Sequence, residues 1–156
     1  MLQLASAVCL AALGSVWHRR PEESYSAHRA VNFTIAGSLC SAVLLALAAI
    51  TSWSLASPGV VGPGSAFRTL QFLPFLFGGP GWAAFFALFM LGVSRATANR
   101  VPKWIEWPGY GLSITSAFAT FALITLAAAP FLPLTRFRAF LWLIAAAVFM
   151  NRSSKL

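Results

Sequence analysis

Residues 31–55 read VNFTIAGSLCSAVLLALAAITSWSL, twenty-five consecutive positions without a charged side chain. A helix needs roughly 20 mostly apolar residues to cross a hydrocarbon core about 30 Å thick. This stretch exceeds that length and reads as a membrane-spanning helix. Outward from it, charged residues divide the 156-residue chain into further uncharged runs at 1–18, 69–94, 107–135 and 139–151. Within them the expected spans are Leu2–Trp17, Phe72–Ser94, Tyr110–Ala129 and Leu134–Met150, the first and last short. Arg136 and Arg138, near the start of the last, have side chains long enough to snorkel to headgroups.

Composition agrees. Apolar residues make up 59% of the chain and charged residues 9%, against about 25% charged in a soluble domain. The expected fold is therefore all-α, a multi-pass transmembrane helical bundle of five spans in one domain over residues 1–156. The first segment has no basic n-region and no A-x-A site close behind it, so it is expected to stay as a span and not to act as a cleaved signal peptide.

The positive-inside rule orients the bundle. Arg19, Arg20, Arg29, Arg95, Arg100, Lys103, Arg152 and Lys155 fall on one side of five spans; Arg68, Arg136 and Arg138 fall on the other. The expectation is an N-terminus outside and a cytoplasmic C-terminus. The net charge of +8 is then topology plus attraction to anionic headgroups, and no soluble module supports nucleic-acid binding. Trp17, Trp53, Trp104, Trp107 and Tyr110 lie at expected span ends, where amphipathic rings favour the interface. Pro58-Gly59 and Pro63-Gly64 read as turns of an outer loop.

The chain is poor in reactive groups. Its acids are Glu22, Glu23 and Glu106, and none lies in an apolar run. No acid/base pair or proton relay can be assembled, and the intramembrane Ser and Thr have no base to activate them. Glu106, beside Lys103 and Arg100, reads as an ion-pair partner. His28 is a candidate axial ligand for a chlorophyll-type pigment, against the simpler reading of a loop imidazole facing headgroups; His18 sits in the same loop. Cys9 and Cys40 have no metal-site spacing and read as small apolar side chains at a helix interface. No catalytic residue, metal or cofactor is expected, beyond bound lipid.

Two features remain. Gly109, Ser113 and Ala117 recur at four-residue spacing, and Gly37 and Ser41 repeat the pattern in the second span. Small residues let helix backbones approach closely, so these are expected helix-packing positions. Gly78-Gly79-Pro80-Gly81 interrupts the third span. Transporters use such helix breaks to hold ions or substrates near the midplane. Here, counting helical rise from Ser94 puts Gly78 about 24 Å away, near the outer boundary. The tetrapeptide therefore reads as a helix break at the outer interface, where the chain enters the membrane.

Residues 70–152 also resemble an uncharacterised bacterial multi-pass membrane family with a shared domain of unknown function. The resembling residues are Gly78-Gly79-Pro80-Gly81 leading into Leu91-Gly92-Val93-Ser94, then Val101-Pro102-Lys103-Trp104 through Trp107, and Leu141-Trp142-Leu143-Ile144. The resemblance implies a bacterial inner-membrane protein and supports the fifth span. It supplies no catalytic residue.

The expected function is that of a non-enzymatic accessory subunit, held by other integral membrane proteins of a larger complex, of photosynthetic or respiratory type, and by lipid. The alternative is a small transporter or channel using the Gly78–Gly81 break.

Overall fold

The stretch that decided the reading lies inside one 32-residue α-helix, Tyr25–Ala56 (α2). The computed structural model describes residues 2–18, 25–56, 65–98, 101–123 and 131–153. The expected Pro-Gly turns, Arg19, Arg20, Glu22, Glu23, Arg100, Lys155 and the end of the fourth expected span lie outside the described residues, as do the side chains of Trp17, His18, Arg68 and Arg152.

Among the described residues every regular element is helical, and the elements form five continuous rods. Helix α1 is Leu2–His18, and α2 follows. The third rod runs from α3 (Ser65–Leu76) through a π-helical turn (Phe77–Gly81) into α4 (Trp82–Thr97). The fourth is α5 (Lys103–Ala119), tightening into a 3₁₀ turn at Thr120–Leu123. The last is α6 (Phe131–Ser153). Two stretches, His28–Ala56 and Leu70–Thr97, are long and apolar enough to cross a membrane, with 29 and 28 residues.

Several helix starts differ from expectation. Helix α2 begins at Tyr25, six residues ahead of Val31, the third rod begins at Ser65, before Arg68, and α5 begins at Lys103, seven residues ahead of Tyr110. A charge ends an apolar run but does not end a helix. Pro102 starts α5: its φ of −57° and ψ of 146° lie outside the helix, and its carbonyl accepts the N–H groups of Ile105 and Glu106 at 2.9 and 3.2 Å. Glu106 then sits in the first turn, where an acid complements the helix dipole.

The helices place small residues inside and large ones outside. Buried positions of α2 include Ala30, Thr34, Ser38, Ser41, Ala42, Leu45, Ala48 and Ala49, while Leu39, Val43, Leu47 and Ile50 are exposed. On α6, Ala139, Ala146 and the larger Trp142 are buried, and Phe137, Leu141, Ile144 and Val148 are exposed. Only α4 buries a large aromatic column: Trp82 stacks on Phe86 with centroids 4.4 Å apart, and Phe89 follows at 5.7 Å.

The rods contact one another largely in chain order: α1 on α2, α2 on α4, α4 on α5, α5 on α6. The α2–α4 contact is set by glycine. A Cβ on Gly37 would fall 2.4 Å from the backbone nitrogen of Phe89, and one on Gly92 would fall 2.5 Å from that of Thr34. Each helix thus meets the backbone of the other, which only a residue without a side chain permits. Many hydroxyls bond within their own helix, Thr34 to Ala30 O, Ser52 to Ala48 O and Thr97 to Val93 O, at 2.7–2.9 Å. This satisfies them without water.

Candidate functional site

The Gly78-Gly79-Pro80-Gly81 sequence does not end the helix. Leu76 and Trp82, on either side of the π-turn, both have right-handed helical backbone. Pro80 has no N–H to give, so the regular ladder has to skip there. The ladder widens instead. Trp82 N–H bonds Phe77 O, five residues back, and also Gly79 O. Gly81 allows the wider turn, because a Cβ there would lie 2.8 Å from Leu76 O. Gly78 is close to α2, where its Cβ would meet that of Ala48 at 3.1 Å.

The displaced ladder leaves one carbonyl for an outside partner. Trp82 N–H would be the α-helical donor to Gly78 O, but it is directed to Phe77 and Gly79. Arg136 of α6 supplies the replacement, donating from Nη2 to Gly78 O across 58 positions of sequence. The same guanidinium lies over the indole of Trp82, 4.5 Å from its centroid. A cation on a buried aromatic face is stabilised by the ring quadrupole. Trp82 is 1% exposed, and its Nε1 has no partner.

Gly78 and Arg136 border a cavity of about 370 Å³ lined also by Gln3, Pro74, Phe75, Gly79 and Phe137. Three remote parts of the chain meet there: the start of α1, the π-turn and the first turns of α6. The Gln3 amide lies 3.7 Å from the position of a Cβ on Gly78. The lining is apolar apart from backbone, one carboxamide and one cation. It suits binding of an anion and offers no nucleophile, base or metal-ligand set. Among the described residues no group of three His, Cys, Asp or Glu could hold a metal.

The expected packing positions separate. Gly37 and Ser41 are buried in α2, Ser41 with no hydrogen-bond partner for its hydroxyl. Gly109 meets α4 and α6 together: its Cβ would lie 2.3 Å from Ser94 Oγ and 2.4 Å from the Trp142 ring. Ser113 donates to Ala87 O at 2.8 Å. Ala117 is exposed, and Ser116 and Ala119 face inward instead. Eight residues from Gly109 a helix has rotated about 80° past a whole number of turns, but seven residues bring it back within about 20°. The buried series is Ile105, Gly109, Ser113, Ser116 and Ala119, so four-residue spacing holds from Gly109 to Ser113 and leaves that face at Ala117.

His28 and Cys9 are exposed and Cys40 is half-buried, with both thiols free. Cys9 therefore does not sit in a helix interface. Glu106 is half-buried, and Trp53, Trp104 and Trp107 are exposed.

Sequence reading missed Arg136, Gln3, Gly14, Gly92 and Trp142 as contact residues. Trp142 donates Nε1 to Ile105 O at 2.6 Å. Gly14 abuts Ser38, whose Oγ lies 2.0 Å from where a Cβ would be. An arginine one turn inside an apolar helix was a signal, but its partner was not marked. The chain matches no family model, no curated protein and no solved structure.

Proposed function

We propose that this chain is a multi-pass integral membrane protein serving as a non-enzymatic accessory subunit of a larger membrane complex. In this reading all five rods cross a bacterial inner membrane, with the N-terminus outside and the C-terminus cytoplasmic. The likeness of residues 70–152 to a multi-pass family belongs to the same proposal.

The observation that carries it is the distribution of size and polarity. Many small residues face inward, and the buried hydroxyls of Thr34, Ser38 and Thr97 bond within their own helices, while Val43, Ile50, Ile114, Phe118, Leu141 and Ile144 face outward, each more than half exposed. Contiguous exposed apolar surface on this scale marks contact with lipid or with partner proteins. Helices α2 and α6 have almost no amphipathicity; helices apolar all round belong in a core or a membrane. The sequence holds only three acids, Glu22, Glu23 and Glu106, and the contribution assigned to the chain in this reading is contact. Lipid is the expected bound component. A pigment on exposed His28 would sit at the periphery of the bundle.

The alternative, transport through Gly78–Gly81, has less support. The carbonyl that the π-turn releases at Gly78 is already taken by Arg136, and transport sites usually lie near the midplane.

Deleting the gene tests the proposal. Loss or reduced size of one membrane complex on native separation is expected. An unchanged set of complexes would argue against an accessory role.

A further inference from the structure

The geometry points to a phosphate-binding site at the outer end of the bundle, formed by Arg136 with Gln3 in the cavity beside the π-turn. It rests on the membrane reading above and adds the ligand chemistry.

Charge is the first argument. The two contacts that hold the Arg136 guanidinium, the Gly78 carbonyl and the Trp82 ring, carry no formal charge. Its positive charge is therefore fixed in place but not neutralised by them, and no carboxylate is among the described residues lining the cavity. A guanidinium has five N–H donors, of which Gly78 O engages one edge. A half-buried cation bordering an apolar cavity is stabilised by an anion that accepts its remaining donors.

The second argument is shape. Stacking on Trp82 and bonding to Gly78 fix the plane of the fork, so the site is pre-organised, and planar bidentate recognition of oxyanions is where arginine differs from lysine. Gln3 brings an amide to the same cavity. The apolar walls, Pro74, Phe75 and Phe137, suit the carbon skeleton attached to a phosphate ester.

Depth is the third. From Gly78 to Arg95, at the other end of the same rod, is seventeen residues, about 25 Å at helical rise. In a core about 30 Å thick this sets Gly78, and the Arg136 guanidinium bonded to it, about 5 Å inside the outer boundary, next to the layer of headgroup phosphates. A phospholipid headgroup and a phosphate compound from the outer aqueous side share this chemistry.

The test uses the full chain purified in neutral detergent, with phosphatidylglycerol titrated in and adducts counted by native mass spectrometry. One saturable adduct is expected, weakened about tenfold or more by Arg136→Gln, since hydrogen bonds to a charged group are the strong ones. Arg136→Lys should be intermediate and Gln3→Leu mildly weakened. Arg138→Gln, at an exposed position on the same helix, removes the same charge and should bind as wild type. Equal loss in the Arg136 and Arg138 variants, or no saturable adduct, would overturn the site. Circular dichroism checks folding, and Gln3→Leu reads the site with the arginine intact. Inorganic phosphate at millimolar concentration identifies the source: displacement of the lipid supports a water-borne phosphate, and failure to displace it supports a headgroup. Alkaline carbonate extraction separates the two levels of the claim. A chain that stays in the membrane but shows no saturable adduct loses only the site, whereas release by carbonate removes the membrane reading.

Discussion

Trp142 of α6 donates its indole Nε1–H to the carbonyl of Ile105 in α5 at 2.6 Å. The bond lies next to Gly109, whose missing Cβ makes room for the same indole ring. Ile105, Gly109 and Trp142 therefore form one joint, and α6 is held to the bundle by a polar contact inside an apolar interface. Trp142→Phe keeps most of the ring and removes the donor. Interhelical hydrogen bonds in membrane proteins average about 0.6 kcal/mol, so a small loss of stability is expected, measured by unfolding in mixed micelles. Trp142→Ala, which also opens a cavity, should cost about 3–5 kcal/mol.

Glycine substitutions should divide by location. Gly37→Ala places a methyl group against the backbone of Phe89; backbone atoms cannot rotate away, so about 1–3 kcal/mol of overpacking is expected. Gly111→Ala meets nothing within 4 Å and gains helix propensity, up to about 1 kcal/mol. Thermal stability in mild detergent should fall for the first and hold or rise for the second.

Position 117 gives a matched pair with position 116. Ala117 is exposed and Ser116 is fully buried. Ala117→Phe should leave the folded fraction unchanged, and Ser116→Phe should reduce it, as read by size-exclusion of a fluorescent fusion. The reverse order would mean that α5 is rotated by about 100°.

Ser113→Ala removes the 2.8 Å bond to Ala87 O with little change in volume. Its effect should stay near the average of about 0.6 kcal/mol, because Ala87 O retains its place in the α4 ladder.

The helices were legible in the sequence, and most of their contacts were not. The described part of each apolar segment is covered by a helical rod, because apolar runs without strong breakers favour helix in any low-dielectric core. The second, third and fourth rods start ahead of their apolar runs, since Arg29, Arg68 and Glu106 limit only the apolar part of a helix. The π-turn was invisible. Gly and Pro together normally signal a break, and the helix continues only because the ladder can shift by one residue. The bond from Arg136 to Gly78 joins positions 58 apart, which no local pattern encodes. Gly37 and Gly109 are readable as close-approach positions, and Gly92, equally close, carries the same spacing to Ala96.

Orientation is open to direct test. Reporters fused after Ser65 and after Leu156 should lie on opposite sides of the membrane, outside and cytoplasmic, as the distribution of basic residues directs. Both on one side would remove one span from the account.

The central claim is that this chain works as part of a larger membrane assembly. The direct measurement is native electrophoresis of the tagged full chain after gentle detergent extraction, with identification of whatever migrates with it. The account predicts a discrete band far above the 16.7 kDa of the chain, containing a defined set of other integral membrane proteins. A monodisperse monomer, with every native complex unchanged when the chain is absent, would contradict it.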